Sequence, residues 1–436
     1  MSREASGEAS EPGEKPPIIT PQPGPTRSMY RARYGHQVTS NPTSRDYNKA
    51  SVLEVVLTRA PLTRNELMEL TGLSKATVSR AVEELRADGF VVDGGVDEVT
   101  GRGRRSTYLD VPGTTGHVVG ISFGVQTTGV MVTDLRGREI AQLTVPTVEH
   151  LEVGDAARWL VDLVGQAAES ARGPLRQIVV AVPGRVRGGT EIFGPAESMK
   201  ILVGSGLQRA IEELADAPVL LDSDANASLL GVLTDDATIR NAALFSVSTI
   251  LNFGSCTDHE LVRGRTPAFG DIGVLSAGFG DAVLDELLST WGLLRFARKR
   301  GLDLERIEDL WLEAHTEAPH TEAPRDEALR AEVLEAFTRA IVTAVSVVAV
   351  TLDPESVYFV GRLRPLVDVV LPEVRERLGR SLPVVPEIRT GSHLIGLSTA
   401  QGAVYAGLTI AHERLRDAVL GARSQGRVTE QSAPAF

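Results

Sequence analysis

The sequence predicts an α/β protein: a small winged helix-turn-helix module followed by a larger two-lobed domain. Three observations predict it. Residues 44–111 read as three short helices and a hairpin. From residue 112 to 415, strands and helices follow in mixed order, the pattern of a layered α/β architecture with two lobes. The chain has 436 residues, enough for two or three domains.

Residues 1–43 come first and are rich in Pro, Gly, Ser and charge. The stretch "PPIITPQPGPT" offers too little apolar surface to offset its ordering entropy, so a disordered arm is expected. Its later part carries Arg27, Arg31 and Arg33 beside Tyr30 and Tyr34, and reads either as a solvated tail or as an arm touching DNA. A helix is then predicted from Asp46 to Thr58, with Val52, Val55 and Val56 inward. Thr63 and Glu66 have the spacing of a capping box that opens a second helix. Gly72 suits the left-handed residue after that helix, and Ser74 is a natural N-cap for the third. Gly89 ends it. "FVVD" and "RSTYLDV" read as two strands joined by the Gly-rich "GGVDEVTGRGR".

In the third helix, Val78, Val82 and Leu85 recur at core spacing with Ala81 beside them. Lys75, Ala76, Ser79 and Arg80 point the other way. Small residues allow close approach to base edges, while Lys and Arg reach guanine acceptors or phosphates. Ser74 and Thr77 complete this first turn, where a recognition helix makes its contacts. Arg102, Arg104 and Arg105 in the hairpin are suited to phosphate or a narrow minor groove. Residues 62–108 hold seven Lys/Arg against eight Asp/Glu, so attraction to DNA must come from these clusters rather than from the module's average charge. The whole chain carries a net charge of −12, which argues against indiscriminate nucleic-acid binding.

In the larger domain, "HVVGISFGVQTTGVMVTDLRGREI" reads as two antiparallel strands, followed by helix around Ala156 to Ala171. "LRQIVVAVPG" is a buried strand ending in a turn, and "APVLLDSDANASLLGVL" is strand, turn and helix. "AALFSVST" and "SVYFVG" are further strands. Helical segments are expected at Asp281–Arg300, Leu304–Ala314, Arg325–Leu352 and Leu366–Leu378, and from Leu397 onward. The doubled "HTEAPHTEAP" at 315–324 extends a loop. Residues 416–436 are expected to be a flexible tail. Cys256 is the only cysteine, so no intrachain disulfide forms. No N-terminal apolar run resembles a signal peptide, and the most apolar stretch, Ala340–Leu352, is too short to span a bilayer. A cytoplasmic protein without membrane contact is the expectation.

The order of these pieces resembles the ROK family of repressors, open reading frames and sugar kinases, over roughly residues 45–412. "GLSKATVSRAVEELRADGFV" looks like the reader of its repressor branch. "IVVAVPGRV" resembles the family's G-V-P-G-P-V turn, and "PVLLDSDANASLLG" its P-V-x-x-x-N-D-A-N-A-A-A-x-G segment. "LVRGRTPAFGDIGVL" resembles the stretch ending in A-G-E-I-G-H, and "LDPESVYFVG" the later D-P-x-x-I-V-x-G-G. The resemblance implies a winged helix-turn-helix fused to a two-lobed, actin-like ATPase-type domain. The expected role is a DNA-binding transcription regulator, a repressor, acting as a homodimer or tetramer on a double-stranded DNA operator with either a sugar-like effector or none; the alternatives are a sugar kinase with an accessory DNA-binding domain and a ligand-free regulator controlled by a protein partner.

The sequence also departs from that family. A phosphate cradle needs glycines so that backbone N–H groups can approach phosphate oxygens. The expected D-x-G-G-T reads Ser122-Phe123-Gly124-Val125-Gln126, and the expected G-T-G-I-G reads Ser248-Thr249-Ile250-Leu251-Asn252. Arg362 replaces the second glycine after a later strand. No ATP-dependent kinase activity, catalytic residue or cofactor is therefore expected. Asp224 matches the family's base position but is equally suited to cap a helix, and with the phosphate loops lost, capping is the expectation. Asp271 and Val274 stand at the Glu and His positions of the sugar-binding stretch. Asp224, Asn226 and Asp271 are the candidate effector contacts. The family's C-x-C-x-x-x-x-C zinc motif has no counterpart here. Cys256 and His259 form only half a site, so no metal is expected.

Overall fold

The computed structural model describes residues 42–96, 107–148, 152–236, 238–264, 266, 268–312, 324–390 and 395–421. The predicted arm, the hairpin tip with Arg102, Arg104 and Arg105, most of the doubled pentapeptide and the end of the tail lie outside the described residues.

Helix α1 spans Ser44–Arg59 and starts two residues before the expected Asp46, because Thr43 and Asp46 form a reciprocal capping box. Val52 and Val56 are buried and Val55 is half-buried. Helix α2, Arg64–Thr71, opens on the Thr63–Glu66 capping box and ends at Gly72, whose φ of 68° places it in the left-handed region. Helix α3, Lys75–Ala87, is capped by the Ser74 hydroxyl, which accepts from the Thr77 amide. Strands β1, Val92–Val96, and β2, Thr107–Asp110, pair antiparallel as the hairpin stem. Leu53, Leu57, Leu67, Val82, Leu85 and Leu109 form the centre of this module's core, at most 1% exposed.

The larger domain repeats one sheet topology. The first lobe holds β3, His117–Phe123, β4, Thr127–Asp134, β5, Glu139–Pro146, β6, Leu175–Val182, and β9, Val219–Ser223, in the order β5-β4-β3-β6-β9. The opening segment makes the two antiparallel strands expected, β3 and β4, and its last two residues begin a third, β5. Strand β5 alternates between half-buried and exposed residues, as an edge strand does. A ribbon of β7, Arg185–Arg187, and β8, Glu191–Phe193, lies between β6 and β9 in sequence. The second lobe holds β10, Ala242–Val247, β11, Leu251–Thr257, β12, Glu260–Leu261, β13, Ser356–Val360, and β14, Glu387–Thr390, in the order β12-β11-β10-β13-β14. In both sheets the first three strands are antiparallel and the last three parallel. This repetition is the architecture expected from the family resemblance.

Helices α4, Val153–Ala167, and α5, Gly206–Ala215, pack on the first lobe. Helix α6, Asp224–Asp235, follows β9 directly. The second lobe carries α7, Leu284–Leu288, α8, Thr290–Lys299, α9, Asp309–Leu312, α10, Pro324–Leu352, and α11, Arg364–Ser381. By length and composition alone α10 meets the requirement for a membrane span, a test that buried core helices also pass. Its winding brings Val333, Phe337, Ile341 and Val345 onto one face, all fully buried in the core of the second lobe.

Helix α12, Ile395–Val419, runs four residues past the boundary expected at 415, because Ala411, Leu415 and Val419 continue its packed face. It contacts α6, the first sheet and α1 of the reader. The crossing with α6 is backbone against backbone: a Cβ on Gly402 would strike the Ala227 carbonyl, and one on Gly231 the Ser398 carbonyl. The joint between reader and lobe is also ionic. Asp110, at the end of β2, accepts from Arg136 at 2.5 Å and from Arg138 at 3.2 Å, and Arg138 also pairs with Asp134 at 2.7 Å.

Candidate DNA-reading face and interlobe cleft

Helix α3 has two unlike halves. Ser74, Lys75, Ala76 and Arg80 are exposed at its start, with Thr77 and Ser79 half-buried between them. The Thr77 hydroxyl lies 2.9 Å from that of Ser74. Neither Lys75 nor Arg80 makes an ion pair with a described residue. The C-terminal half is different: Arg64 and Arg86 hold Glu83 at 3.2 and 3.0 Å, Arg45 holds Glu84 at 2.6 Å, and Lys49 holds Asp88 at 2.5 Å. These pairs brace α3 against α1 and α2 and neutralise its acids, leaving the cationic surface at the end that starts the helix. The structure thus brings together the helical residues expected to read DNA. The three expected wing arginines fall outside the described residues.

A cavity of 330 Å³ opens between the lobes. The first lobe lines it with the β7–β8 ribbon, Ser223 and Asn226. The second contributes Ile250–Phe253, the segment after β12, Asp271 and Asp285. Two of the three candidate effector residues, Asn226 and Asp271, line it. The third, Asp224, is bonded to the cleft-lining Asn252. Asp224 is not the helix cap: Ser223 is, accepting from the Asn226 amide at 3.2 Å. The strand ends one residue before Asp224, so the residue in cap geometry is the preceding one. Asp224 becomes the first helical residue, accepting from Asn252 at 2.6 Å, from Ser246 at 3.2 Å and from the Ala225 amide at 2.8 Å. Burial of its carboxyl raises the pKa to about 6, against the lowering effect of those hydrogen bonds.

The sequence reading missed the arginines of this cleft. Arg263 of the second lobe reaches Asp222 of the first at 2.5 Å, and Asn226 donates to the same carboxylate at 2.8 Å. Burial alone would raise the Asp222 carboxyl, but Arg263 beside it holds it below the usual range. Arg185 of the first lobe pairs with Asp271 of the second. Both pairs span the cleft. The signal was legible in part, since "VPGRV" puts Arg185 where the quoted family turn has proline. Its partner across the cleft was not, because 86 residues separate the two in sequence.

The segments at the family's phosphate-loop positions hold part of their backbone in internal hydrogen bonds. In the first, the Gly124 amide donates to Thr127 at 3.1 Å, while the Thr147 hydroxyl donates to Gly124 at 2.8 Å. In the second, Thr290 donates to the Ser248 carbonyl through its amide at 2.7 Å and its hydroxyl at 2.6 Å, and the Leu251 amide donates to Asp285 at 2.8 Å. Arg362 bonds Glu308 at 2.7 Å beside the strand where the family has its glycine pair. The Cys256 thiol is buried and faces the Arg240 carbonyl at 3.6 Å, and burial pushes its pKa up to about 11.

The ROK family profile matches residues 118–405, covering both lobes. The chain belongs to the ROK family. A MarR family profile matches residues 46–102, the reader. Among curated relatives, a xylose repressor of Caldicellulosiruptor bescii is 27% identical over 54% of this chain, and one of Bacillus subtilis 29% identical over 53%. The chain spans about 60% of the length of these relatives. Among solved structures, a ROK family transcriptional regulator, a homologue of the E. coli MLC protein, superposes with a TM-score of 0.66 at 16% identity, over 86% of this chain and 99% of that one. A ROK family glucokinase from Streptomyces griseus gives 0.53 at 17% identity, over 67% of this chain and 99% of that one. The regulator's larger coverage and the winged module agree with the α/β fold read from the sequence.

Proposed function

We propose that this ROK family protein is a DNA-binding transcription repressor whose two lobes sense a small molecule and do not phosphorylate it. The observation that carries this reading is the start of α3: Lys75 and Arg80 stand exposed on a capped helix whose own acids are neutralised elsewhere. Such a helix end reads base edges in a major groove while Ser74, Ala76, Thr77 and Ser79 keep the backbone close. Arg102, Arg104 and Arg105 contact phosphate or the minor groove. The xylose repressors among its relatives support both the repressor reading and a sugar-like effector.

The cleft communicates with the reader through α12. Helix α6 begins at the cleft with Asp224 and Asn226, crosses α12 without intervening side chains at Gly231 and Gly402, and α12 touches α1. A ligand that changes the lobe angle displaces this chain of contacts, and its effect on DNA is bounded by its difference in affinity for the two states. One reader offers few contacts, so the protein acts as a homodimer or tetramer on half-sites about 34–36 Å apart or multiples of that spacing. A cytoplasmic location follows from this role. The kinase alternative is disfavoured by the side chains of Val125, Ile250 and Leu251 where phosphate-cradling glycines are needed, with the Gly124 amide donating to Thr127 and the Leu251 amide to Asp285.

The test is electrophoretic mobility of a bound duplex with the full chain, alongside ADP release with glucose, N-acetylglucosamine, mannose and xylose. Sequence-specific retention with no ADP release above an Asp224→Asn control is the expected result. Turnover above that control, without specific DNA binding, would restore the kinase reading.

A further inference from the structure

The arginines of the cleft point to the charge of its ligand. Arg185, Arg187 and Arg263 line one cavity, with Asp271 and Asp285 as its lining carboxylates. Asp285 is committed to the Leu251 amide. Arg263 is held by the buried Asp222, and Arg187 by Glu191 on the neighbouring strand. Arg185 is the exception. Its Nη1 pairs with Asp271 across the cleft, but its buried Nε has no acceptor among the described residues. Buried polar groups are nearly always satisfied, so a donor of this kind facing the cleft is suited to an acceptor oxygen brought by a ligand. Room has been made for this side chain: a Cβ on Gly194 would run into its guanidinium.

A guanidinium presents parallel N–H groups that match the two oxygens of a carboxylate or phosphate. Asp271 takes only part of that fork. The neighbouring Asn226 and Asn252 supply amides suited to hydroxyls, and the 330 Å³ cavity has room for one monosaccharide with a substituent. Taken together, we infer that the effector is an anionic polyol, a sugar acid or a sugar phosphate, whose anionic group binds Arg185 in exchange for Asp271. Because Arg185 and Asp271 sit on opposite lobes, that exchange also cuts a contact between the lobes. The inference rests on the cleft being the effector site of the proposed repressor.

The experiment is calorimetry on the full chain with matched probes: D-xylose and D-glucose, their acids D-xylonate and D-gluconate, glucose 6-phosphate, and inorganic phosphate as a bare anion. An acid or the sugar phosphate should bind at least about tenfold tighter than its neutral parent, and the acid and phosphate arms identify which anion fits. Arg185→Gln should remove that preference, and Arg185→Lys, which keeps charge but not the fork, should retain part of it. Thermal unfolding of both variants separates lost binding from lost folding, and the lysine variant carries the reading if the glutamine variant does not fold. Neutral sugars binding as tightly as their acids, or a preference unchanged in Arg185→Gln, would overturn the inference while leaving the effector reading intact. Inorganic phosphate binding as tightly as the best probe would overturn the polyol part. If no probe binds, in a protein that still holds its duplex, both the effector reading and this inference fail and the DNA reading survives.

Discussion

The reader and the cleft are both built with arginine, and they treat its charge in opposite ways. In the reader, Arg45, Lys49, Arg64 and Arg86 are spent on the acids around the later turns of α3, and Lys75 and Arg80 are left facing solvent. In the cleft, Arg185, Arg187 and Arg263 are each paired, two of them across the lobes. An exposed, unpaired cation meets a polyanion at little cost, because what it displaces is counterions. A paired cation must exchange one carboxylate for another acceptor, so it answers only to a ligand that offers one in the right place. The first arrangement suits DNA, where charge is everywhere and geometry selects the site. The second suits a sensor, where the protein's own contact is the default and the ligand replaces it.

The largest expected effect follows from burial. Asp222 is 1% exposed and holds Arg263 and Asn226 together, so Asp222→Ala removes the buried carboxylate that ties Arg263 of one lobe to the other. Thermal or urea unfolding should show a loss of about 3–5 kcal/mol. A loss below about 1 kcal/mol would mean that the cross-lobe pair does not hold the cleft, and the contrast drawn here would collapse.

Next is Arg80→Ala, which touches binding and not stability. Affinity for the bound duplex should fall by about 1–3 kcal/mol if Arg80 reads a base, with the unfolding midpoint unchanged. Lys75→Ala should instead lower affinity evenly across sequences and reduce the salt slope by about 1 if it meets phosphate.

A third effect depends on pH. The folded-state pKa of Asp224 is raised from 3.8 to about 6, so between those values the folded protein holds a proton that the unfolded chain has lost. Stability contributed by this group therefore falls as pH rises through that window. Asp224→Asn should raise stability above pH 6, by at most about 3 kcal/mol, and the gain should vanish below about pH 4. Equal unfolding curves for the two proteins at pH 8 would contradict the burial of this carboxyl.

The smallest effect is the counterpart of the first. Arg45, 66% exposed at its side chain, braces Glu84 on α3. Arg45→Ala should cost little stability, the least of these changes, and less still at high salt. A large loss there would show that the reader's surface pairs are structural in the way the buried cleft pair is.

These two regions were also unequally legible in the sequence. The reader is built by local rules: Thr63 with Glu66, Gly72, and Ser74 with Thr77 act over three residues or fewer, so a linear reading finds them. Even there, Thr43 and Asp46 escaped notice, since a capping box written with Asp in place of Glu starts α1 two residues early. The family resemblance located the cleft segments and two lining candidates, Asn226 and Asp271. It could not find Arg263 with Asp222, or Arg185 with Asp271, because those partners meet only when the two lobes come together. The cap at Ser223 was misread as Asp224 for a related reason: a strand's last residue and a helix's first differ by one position, and only backbone geometry separates them.

Whether α3 reads DNA is measured most directly by selection of duplexes from a random-sequence library by the full chain, followed by affinity against salt for the enriched sequence. The expected result is an enriched inverted repeat, log affinity that falls steeply and linearly with log salt, and a loss of at least about tenfold in Arg80→Ala. No enriched sequence, or an Arg80→Ala variant that binds the enriched sequence as tightly as the parent, would contradict it.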